Sequence, residues 1–497
     1  MGTMGRVVLG GLVVMIGAGV VLVRRPETSS ILRRVALGSY AYAPVIDTRT
    51  GRTFIGGYDG RVYMLATGSG RLLRVVRVTG PWSEVMRVDE RTGRVAVAGW
   101  LSSPSLVPAS GSALVGVGVH LLDATDSSTR GTILIPQPRR QSMPSPWLAG
   151  PWIAADARSG HLFVFGNARP PMQLSTIDFG SGRLLHAVNI GTAPAMGSIV
   201  GGSPLAVDTR DERVFVSHLE SNRLSILDAT TGRLVRTMAL NPASHFPRAA
   251  MTPANSVTVD EGRRRVFVGD PIGGTVATLD ARSGRILRSV YVGPMWTAPV
   301  VDAPTGRVFV LSPGTLHVLD AGSGRILHAV STAVRAPFDP IIDAKGGTVV
   351  VADRAGGTVE IFDGVSGAPR GDISLDGTVS SVAVDERMGH VFILSTGPLG
   401  KDSTPMGHGR FTVLDGVRGS VLRGFPIDAS YGDIVVDAVA RRVVVVGQGG
   451  LVRPATTGWE QLPSWARRLL PWLLQAHSAP GVQTLPASAI VLDATRL

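Results

Sequence analysis

The chain has 497 residues, of which 44% are hydrophobic and 17% are charged, so it can bury a large core. It contains no cysteine, which excludes disulfides, thiolate metal sites and a cysteine nucleophile. The formal net charge is +12 and is carried almost wholly by arginine, because Lys345 and Lys401 are the only lysines. The arginines are spread along the chain without a basic run interleaved with aromatics, so we expect no nucleic-acid partner.

The first predicted element is an apolar N-terminal segment. Residues 7–23 form a seventeen-residue stretch without charge, between Arg6 on one side and Arg24 and Arg25 on the other. This length predicts a single transmembrane helix, so we interpret 1–28 as a membrane anchor. The alternative is a cleaved signal sequence. The positive-inside rule favours a cytoplasmic body, whereas a large domain behind one N-terminal anchor is most often exported. We expect an anchored, extracytoplasmic protein, with cleavage and secretion as the alternative.

A repeat of about forty residues occupies the body of the chain, 29–497. Each unit carries an aspartate at the end of its first apolar run. These nine residues are Asp47, Asp89, Asp156, Asp208, Asp260, Asp302, Asp343, Asp385 and Asp437. Several spacings are 41 or 42 residues, and the longer ones are 52 or 67. A constant period with added loops predicts a β-propeller and not a series of separate domains.

Each unit reads as four short strands. In the unit that begins at Ser256 they are "SVTVD", "RRVFVGD", "TVATLD" and "RILRSVYVG". Two recurring turns join the first strand to the second and the third to the fourth, as in "DAPTGR" (302–307) and "DARSGR" (280–285). The aspartate can accept hydrogen bonds from the turn amides, and the glycine supplies a positive φ. We therefore interpret these repeated acid, glycine and arginine residues as structural turns.

The two ends of the chain are complementary. "SILRRVALG" (30–38) matches a fourth strand without the first three, and "ASAIVLDATRL" (487–497) matches a third strand without a fourth. The N-terminal strand is expected to complete the last blade and to close the ring without exposed edges. The predicted fold class is all-β, a single propeller of about nine four-stranded repeats. It would have seven or eight blades if a degenerate unit, such as the one around Asp89, is not a blade.

Three stretches carry a resemblance to a known family. "VAVDERMGHVFI", "LSILDATTGRLVRTMAL" and "DRAGGTVEIFD" resemble the repeats of YVTN-type (surface-layer-like) propellers, over about 31–497. This resemblance implies a seven-bladed propeller and specifies little about function. The turn "LDAxSGRxL" also resembles the repeat of pyrroloquinoline-quinone-type propellers, in which a tryptophan on the fourth strand locks neighbouring blades together. That place holds Arg74, His186, Arg236, Arg288 or His328 here, which we interpret as solvated outer-strand residues.

Strand order separates the turns from the insertions. In an antiparallel four-stranded blade, the two recurring turns open on one face, and the other connections open on the opposite face. The predicted insertions all belong to the opposite face, at 99–119, 136–151, 192–204, 241–255, 395–409 and 447–488. Long loops on a rigid scaffold commonly carry binding sites, so we expect function on the loop-rich face.

The last insertion contains "GWEQLPSWARRLLPWLLQAH", a candidate helix. From Ser464, the residues Trp465, Leu469, Trp472 and Leu473 make an apolar stripe. The pattern predicts a short amphipathic helix that either lies in a membrane interface or packs on the propeller as a lid.

Aromatic and acidic residues gather near the starts of the first strands, although aromatics are only 5% of the chain. The candidate ligand-binding residues are Tyr42, Trp82, Glu84, Trp152, His245, Trp296, Phe338, Asp339, Tyr431 and Asp433. A funnel lined in this way suits a sugar, a peptide or a cationic small molecule. The alternative is that these side chains merely fill the channel mouth.

The favoured function is a membrane-anchored, non-enzymatic propeller that binds a ligand or a protein partner on its loop-rich face. No catalytic residue, metal ligand or cofactor is predicted for it. The alternative is a metal-dependent hydrolase or lactonase, with an ion such as calcium at the channel mouth held by Glu84, Asn255, Asp339 or Asp433. A quinone-dependent dehydrogenase is disfavoured because the tryptophans and cofactor signatures are missing.

Overall fold

The propeller is seen in a computed structural model. It describes residues 13–16, 19–22, 30–38, 41–57, 59–78, 82–102, 114–136, 151–166, 172–191, 203–218, 222–240, 256–271, 273–295, 297–396, 409–429, 432–447, 450–452, 483–485 and 487–497. Within these residues, nine four-stranded antiparallel sheets form the blades of one propeller. The strands of each blade are named a to d from the central channel outwards.

The apolar N-terminal segment is extended in its described residues. β1 (Val13–Ile16) and β2 (Gly19–Leu22) pair as antiparallel strands, with Val13 opposite Leu22. The structure thus differs from the predicted transmembrane helix over 7–23, and no helix among the described residues is long and apolar enough to cross a membrane. Residues 13–22 contain four valines, whose branched side chains favour extended backbone over helix.

Strand bounds follow the chain from blade to blade. The strand β3 (Ile31–Ala36) belongs to blade 9. Blade 1 comprises β4 (Ala41–Asp47), β5 (Arg52–Gly57), β6 (Arg61–Ala66) and β7 (Arg71–Arg77). Blade 2 comprises β8 (Trp82–Asp89), β9 (Arg94–Ser102), β10 (Leu114–Asp123) and β11 (Thr129–Pro136). Blade 3 comprises β12 (Trp152–Asp156), β13 (His161–Gly166), β14 (Met172–Asp178) and β15 (Leu184–Gly191).

Blades 4 to 6 repeat this plan with short strands. Blade 4 comprises β16 (Leu205–Asp208), β17 (Arg213–Ser217), β18 (Arg223–Asp228) and β19 (Leu234–Ala239). Blade 5 comprises β20 (Ser256–Asp260), β21 (Arg265–Asp270), β22 (Thr275–Asp280) and β23 (Ile286–Tyr291). Blade 6 comprises β24 (Val300–Asp302), β25 (Arg307–Ser312), β26 (Thr315–Asp320) and β27 (Ile326–Ser331).

The last three blades complete the ring. Blade 7 comprises β28 (Ile341–Asp343), β29 (Thr348–Ala352), β30 (Thr358–Asp363) and β31 (Pro369–Ser374). Blade 8 comprises β32 (Val379–Asp385), β33 (His390–Ser395), β34 (Gly409–Asp415) and β35 (Val421–Ile427). Blade 9 comprises β36 (Gly432–Asp437), β37 (Arg442–Gly447), β40 (Ser488–Asp493) and β3. A 3₁₀ turn, Ala494–Arg496, follows β40.

Ring closure agrees with the prediction. β3 pairs with β40, with Val35 opposite Ala489, so the two ends of the chain share blade 9. The inner strand β36 contacts both β32 and β4, which joins the last blade to the first. The unit around Asp89 is a complete four-stranded blade, so the count is nine. The seven blades implied by the YVTN-type resemblance are wrong for this chain.

Two predicted insertions differ from the structure or lie outside it. Part of 99–119 was expected to be loop, but β9 and β10 extend into it as paired strands, with Ser102 opposite Leu114 and a shift of register between Leu114 and Gly116. Within 447–488, β38 (Gly450–Val452) pairs with β39 (Gln483–Leu485). The predicted amphipathic helix from Ser464 lies outside the described residues.

The hydrophobic core lies between the blades. Nine clusters of buried apolar side chains are present, and each combines residues of two neighbouring blades. The b strands contribute a fully buried phenylalanine in six blades, for example Phe215 and Phe267. Each blade is apolar on both faces because both faces meet another blade, and its b strand therefore reads as an almost continuous apolar run.

The aspartate that ends each a strand caps the turn to the b strand. All nine carboxylates are at most 4% exposed. Each accepts at least one hydrogen bond from an amide or hydroxyl two or three residues further on, as Asp47 does from the Arg49 amide at 3.1 Å. The prediction that these repeated acids cap turns is confirmed.

The residue that ends the a–b turn has a positive φ in all nine blades. Gly389 in blade 8 has φ +67°, and no atom lies within 4 Å of the position that a Cβ would take there. In three blades the same place holds Glu212, Arg264 or Arg441, with φ of 53° or 54°. A residue with a side chain costs about 1 kcal/mol or more in this conformation, so these three turns are strained.

A second set of aspartates caps the c–d turns of seven blades, and in blade 9 the equivalent Asp493 caps the 3₁₀ turn after β40. In three of these turns a serine hydroxyl is the largest cause of a pKa below the usual range, and the serine amide adds to it. These residues are Asp178 with Ser181, Asp280 with Ser283 and Asp320 with Ser323. The hydroxyl-to-carboxylate distance is 2.7 Å in all three.

The arginine that opens the b strand links its blade to the next one. Arg442 of blade 9 donates from Nη1 to the Asp493 carboxylate of its own blade at 3.1 Å. Its Nε donates to the Gly68 carbonyl in the c–d turn of blade 1 at 3.0 Å. Arg265 and Arg307 make equivalent contacts towards blades 6 and 7. Many of the "GR" arginines are therefore part of the scaffold.

The c–d turn glycine packs on the preceding blade. A Cβ at Gly232 would lie 3.0 Å from the His186 Cβ, so a larger residue would push blades 3 and 4 apart. The outer-strand residues interpreted as solvated are exposed, but they also contact this turn. Arg236 and Arg288, for example, donate to turn carbonyls of the following blade at 3.4 and 3.1 Å. They join blades at the place where quinone-type propellers use tryptophan.

We expect Arg441→Gly to relieve about 1 kcal/mol of backbone strain and so to raise the free energy of unfolding. The greater conformational entropy of glycine in the unfolded chain makes the net gain smaller. The matched variant is Gly389→Ala, at the same turn position in blade 8. It should lower stability by about 1 kcal/mol through backbone strain alone, because its Cβ meets no atom. Urea-unfolding midpoints measure both. Equal shifts of the same sign in the two variants would contradict this explanation.

Stability is expected to be steady between pH 5 and pH 8 and to fall below about pH 4. The folded-state pKa values of Asp178, Asp280 and Asp320 lie below the unfolded value. Their contribution is therefore present above the unfolded pKa and is lost as the pH falls through the folded pKa. Thermal unfolding from pH 7 to pH 3 measures this loss. The triple variant of Ser181, Ser283 and Ser323 to Ala should be less stable at pH 7 and should show a shallower acid dependence.

Candidate functional site

The propeller has two chemically different faces. The a–b and c–d turns open on one face, here called the regular face, and their carboxylates accept hydrogen bonds from amides or hydroxyls of the turns. The b–c and d–a connections open on the other, here called the loop face. The connections over 103–113, 137–150, 241–255, 397–408 and 453–482 belong to the loop face and lie outside the described residues. All connections of strongly varying length are therefore on the loop face.

The structure places the predicted site residues at the loop-face ends of the inner strands. Tyr42 lies in blade 1, Trp82 and Glu84 in blade 2, Trp152 in blade 3, Phe338 and Asp339 next to blade 7, and Asp433 in blade 9. For Tyr42, Trp82 and Glu84 only the backbone is described. His245, Trp296 and Tyr431 lie outside the described residues. The described candidates thus share one rim of the channel, spread over five blades.

β-Bulges interrupt three inner strands at this rim. The register shifts between Tyr42 and Val45 in blade 1, between Ser83 and Val85 in blade 2, and between Val379 and Ser381 in blade 8. Glu84 is therefore the extra residue of a bulge. Bulges redirect side chains and are common next to binding sites. Sequence periodicity could not show them, because one inserted residue changes the alternation only locally.

The connection between blades 6 and 7 is held by two carboxylates that the sequence analysis missed. Asp353, 4% exposed, accepts hydrogen bonds from the amides of Arg335, Ala355 and Gly356 at 2.7 to 2.9 Å, and from a fourth amide at 3.5 Å. Burial alone would raise the pKa of Asp353, but these amides outweigh it and hold the pKa below its usual range. Glu360 accepts from the Thr332 hydroxyl and from a neighbouring amide. Residues 332–340 are thereby fixed to blade 7.

An exposed arginine in the b–c turn of blade 7 lies on an aromatic ring of this connection. The Arg354 guanidinium lies 4.1 Å from the centroid of the Phe338 ring, which is a cation–π contact. Burial of part of the side chain lowers the pKa of Arg354, and the charge of Asp339 opposes that shift. Arg354 was inside a quoted motif, "DRAGG", and its place in a b–c turn was the signal that could have assigned it to the loop face.

Two of the predicted carboxylates, Asp339 and Asp433, bridge neighbouring blades. Asp339 Oδ1 accepts from the Ala298 amide of blade 6 at 2.8 Å, and Asp433 Oδ2 accepts from the Ala43 amide of blade 1 at 3.2 Å. Inner strands have one open edge towards the channel, and these contacts satisfy amides at that edge. Burial raises the pKa of Asp433, and the Ala43 amide only partly opposes this. The charged form of the Asp433 carboxyl group therefore lowers the stability of the folded state.

Trp152 fits the channel-filling alternative better than an open ligand platform. Its ring stacks on Phe165, with centroids 5.5 Å apart, and it packs on the core between blades 3 and 4. Buried histidines near this face are also structural. Burial, with help from the Arg223 charge, lowers the pKa of His218 to about 4, and its Nε2 contacts Ser225 Oγ at 2.8 Å. His218 is therefore neutral at pH 7.

Among the described residues, no group of three or more His, Asp or Glu side chains could hold a metal ion. Of the residues named for the hydrolase alternative, Asn255 lies outside the described residues, and only the backbone of Glu84 is described. Asp339 and Asp433 lie at blades 7 and 9, and each already accepts a backbone amide. What this rim offers chemically is a dispersed set of aromatic, acidic and guanidinium groups suited to binding a surface.

Comparison with known proteins supports a propeller repeat fold. Residues 272–446, less than half of the chain, match the profile of the PQQ_2 family, described as outer membrane protein assembly factor BamB. The crystal structure of BamB from Moraxella catarrhalis is similar, with a TM-score of 0.50, 15% identity, and coverage of 73% of this chain and 96% of that chain. Sqt1 from Saccharomyces cerevisiae is similar, with a TM-score of 0.51, 12% identity, and coverage of 80% and 99%. No curated protein matches the sequence significantly.

We expect Asp433→Asn to raise the free energy of unfolding at pH 7. The amide oxygen of asparagine can still accept from Ala43, and the cost of burying a charge is removed. The folded-state pKa is raised, so the gain should disappear as the pH falls below the unfolded value, where both states are protonated. Thermal unfolding at pH 7 and pH 4 measures the effect. Asp372→Asn, an exposed outer-strand control, should change neither value.

Proposed function

We propose that the chain is a membrane-attached, non-enzymatic scaffold that binds a protein partner on the loop face. The observation that carries this proposal is the difference in contacts between the two faces. The turns of the regular face are engaged in blade packing, whereas the loop face combines the variable connections with the exposed Arg354 on Phe338. Arginine and aromatic side chains dominate the energetics of protein interfaces.

Two further observations support a scaffold role. The family whose profile matches 272–446 is described as an assembly factor, and we extend to this chain only the role of a scaffold. Desolvation of the half-buried Asp433 carboxylate raises its pKa and costs stability when the group is charged, and such a cost is commonly retained where a residue serves binding. The YVTN-type resemblance is part of the same proposal and rests on the motifs quoted above.

Membrane attachment through 1–28 and an extracytoplasmic location also belong to this proposal. They rest on the uncharged stretch 7–23 and its flanking arginines. Cell fractionation followed by carbonate extraction tests attachment, and protease treatment of cells with and without an opened envelope tests the side. A chain that is released by carbonate, or that is protected until the cytoplasm is opened, contradicts this part.

Photocrosslinking in cells tests the binding face. A photoreactive phenylalanine analogue replaces Ala355, exposed in a b–c turn of the loop face, or Val417, exposed in a c–d turn of the regular face. We expect an adduct of defined mass from position 355 and none from position 417. The double variant Phe338→Ala, Arg354→Ala should weaken the adduct at 355 severalfold. Equal adducts from both positions would overturn the assignment of the face.

Thermal unfolding against calcium and other divalent ions separates this proposal from the hydrolase alternative. A ligand of the native state raises the melting temperature by mass action. We expect no rise with any of these ions. A rise with calcium that Asp339→Asn abolishes would overturn the non-enzymatic proposal in favour of the hydrolase.

A further inference from the structure

The outer strands of blades 9 and 1 carry the highest density of arginine on the rim of the propeller. β7 contains Arg71, Arg74 and Arg77, and β3 contains Arg33 and Arg34. Each of the other seven outer strands, all of which are described, contains at most one arginine within its bounds. Five arginines are thus gathered at one sector of the rim.

These two strands lie side by side. β3 contacts β7, and a Cβ at Gly70 in the turn before β7 would lie 2.9 Å from the Arg33 Cβ. Apolar side chains stand between the arginines, with Leu32, Leu72 and Val75 between 37% and 43% exposed. We name this sector the rim patch and define it by Arg33, Arg71, Arg77, Leu32, Leu72 and Val75.

The positive charge of the rim patch is hardly neutralised within the protein. β3 and β7 contain no acidic residue. Of their five arginines, Arg34 pairs with Asp428, and Arg74 donates to the Asp126 carbonyl of blade 2. Within the described part of the chain, the other three form no ion pair. Their side chains are exposed.

The rim patch is also the part of the propeller tethered to the apolar N-terminal stretch. Seven residues, 24–30, separate Val23 from the first residue of β3. The eight Cα–Cα steps from Val23 to Ile31 span at most about 29 Å. Arg24 and Arg25 add two more positive charges to this short connection. Anything that holds 7–23 must therefore lie close to β3 and β7.

We propose that the propeller stands edge-on against an anionic lipid bilayer, with the rim patch facing the headgroups. Arginine side chains there pair with lipid phosphates, and the leucine and valine side chains enter the interface, the arrangement that interfacial binding requires. In this orientation the channel axis runs parallel to the bilayer, and the loop face opens sideways towards a partner. This inference rests on the proposed membrane attachment.

The absence of cysteine allows a direct test on the full chain. Single cysteines replace Val75 in the rim patch or Val235 in the outer strand of blade 4, which is 52% exposed. Each carries a polarity-sensitive fluorophore. The protein is reconstituted with vesicles of phosphatidylcholine, with or without phosphatidylglycerol. We expect a blue shift and loss of acrylamide quenching at position 75 only with phosphatidylglycerol, and no change at position 235.

A matched pair of charge variants separates this geometry from overall charge. Arg71→Glu with Arg77→Glu should abolish the blue shift at position 75. Arg233→Glu with Arg285→Glu changes the net charge equally, on the outer rim of blades 4 and 5, and should leave the shift intact. If the protein co-sediments with both vesicle types but position 75 stays accessible to acrylamide, the edge-on inference is wrong and the membrane attachment is not affected. Failure to co-sediment with either vesicle type overturns the membrane attachment as well.

Discussion

The capped turn between the third and fourth strands is the interaction on which the ring depends. Its aspartate accepts the turn amides, its glycine packs on the preceding blade, and its carbonyls accept donors from that blade's arginines. The same few residues therefore close a hairpin and join two blades. Repetition of one turn gives neighbouring blades a shared set of contacts. Other polar contacts between adjacent blades add to it, such as Thr209 with Glu261 and Ala298 with Asp339.

This constraint explains the composition of the chain. The core consists of nine apolar layers between blades, so every blade is apolar on both faces, and the polar residues are pushed to turns and edges. Arginine suits the b-strand position because its planar fork can donate at once to a carboxylate and to a carbonyl of the next blade. Lysine donates from a single nitrogen, so it could reach both acceptors only if both lay within hydrogen-bond distance of one point.

Because the regular face is occupied by scaffold contacts, variation is confined to the loop face and the rim. On the loop face, bulges, bridging carboxylates and the Arg354–Phe338 pair make a firm platform beneath the variable connections. On the rim, arginine collects at blades 9 and 1, next to the N-terminal segment. A membrane beside that sector and a partner on the loop face would use two surfaces at right angles, so neither would obstruct the other.

The sequence by itself determined the repeat, the strand order, the closure by β3 and the capping role of the aspartates, because each depends on contacts within about forty residues or on complementary ends. It misjudged the N-terminal segment, since valine-rich apolar runs suit helix and strand equally by periodicity. Nine units were expected from the repeated aspartates, and only the tertiary structure decided that the degenerate unit around Asp89 is a complete blade. It also decided the neighbours of Asp353, Asp339 and Asp433 and the meeting of β3 with β7. These contacts join residues from different blades, and a one-dimensional pattern carries no information about them.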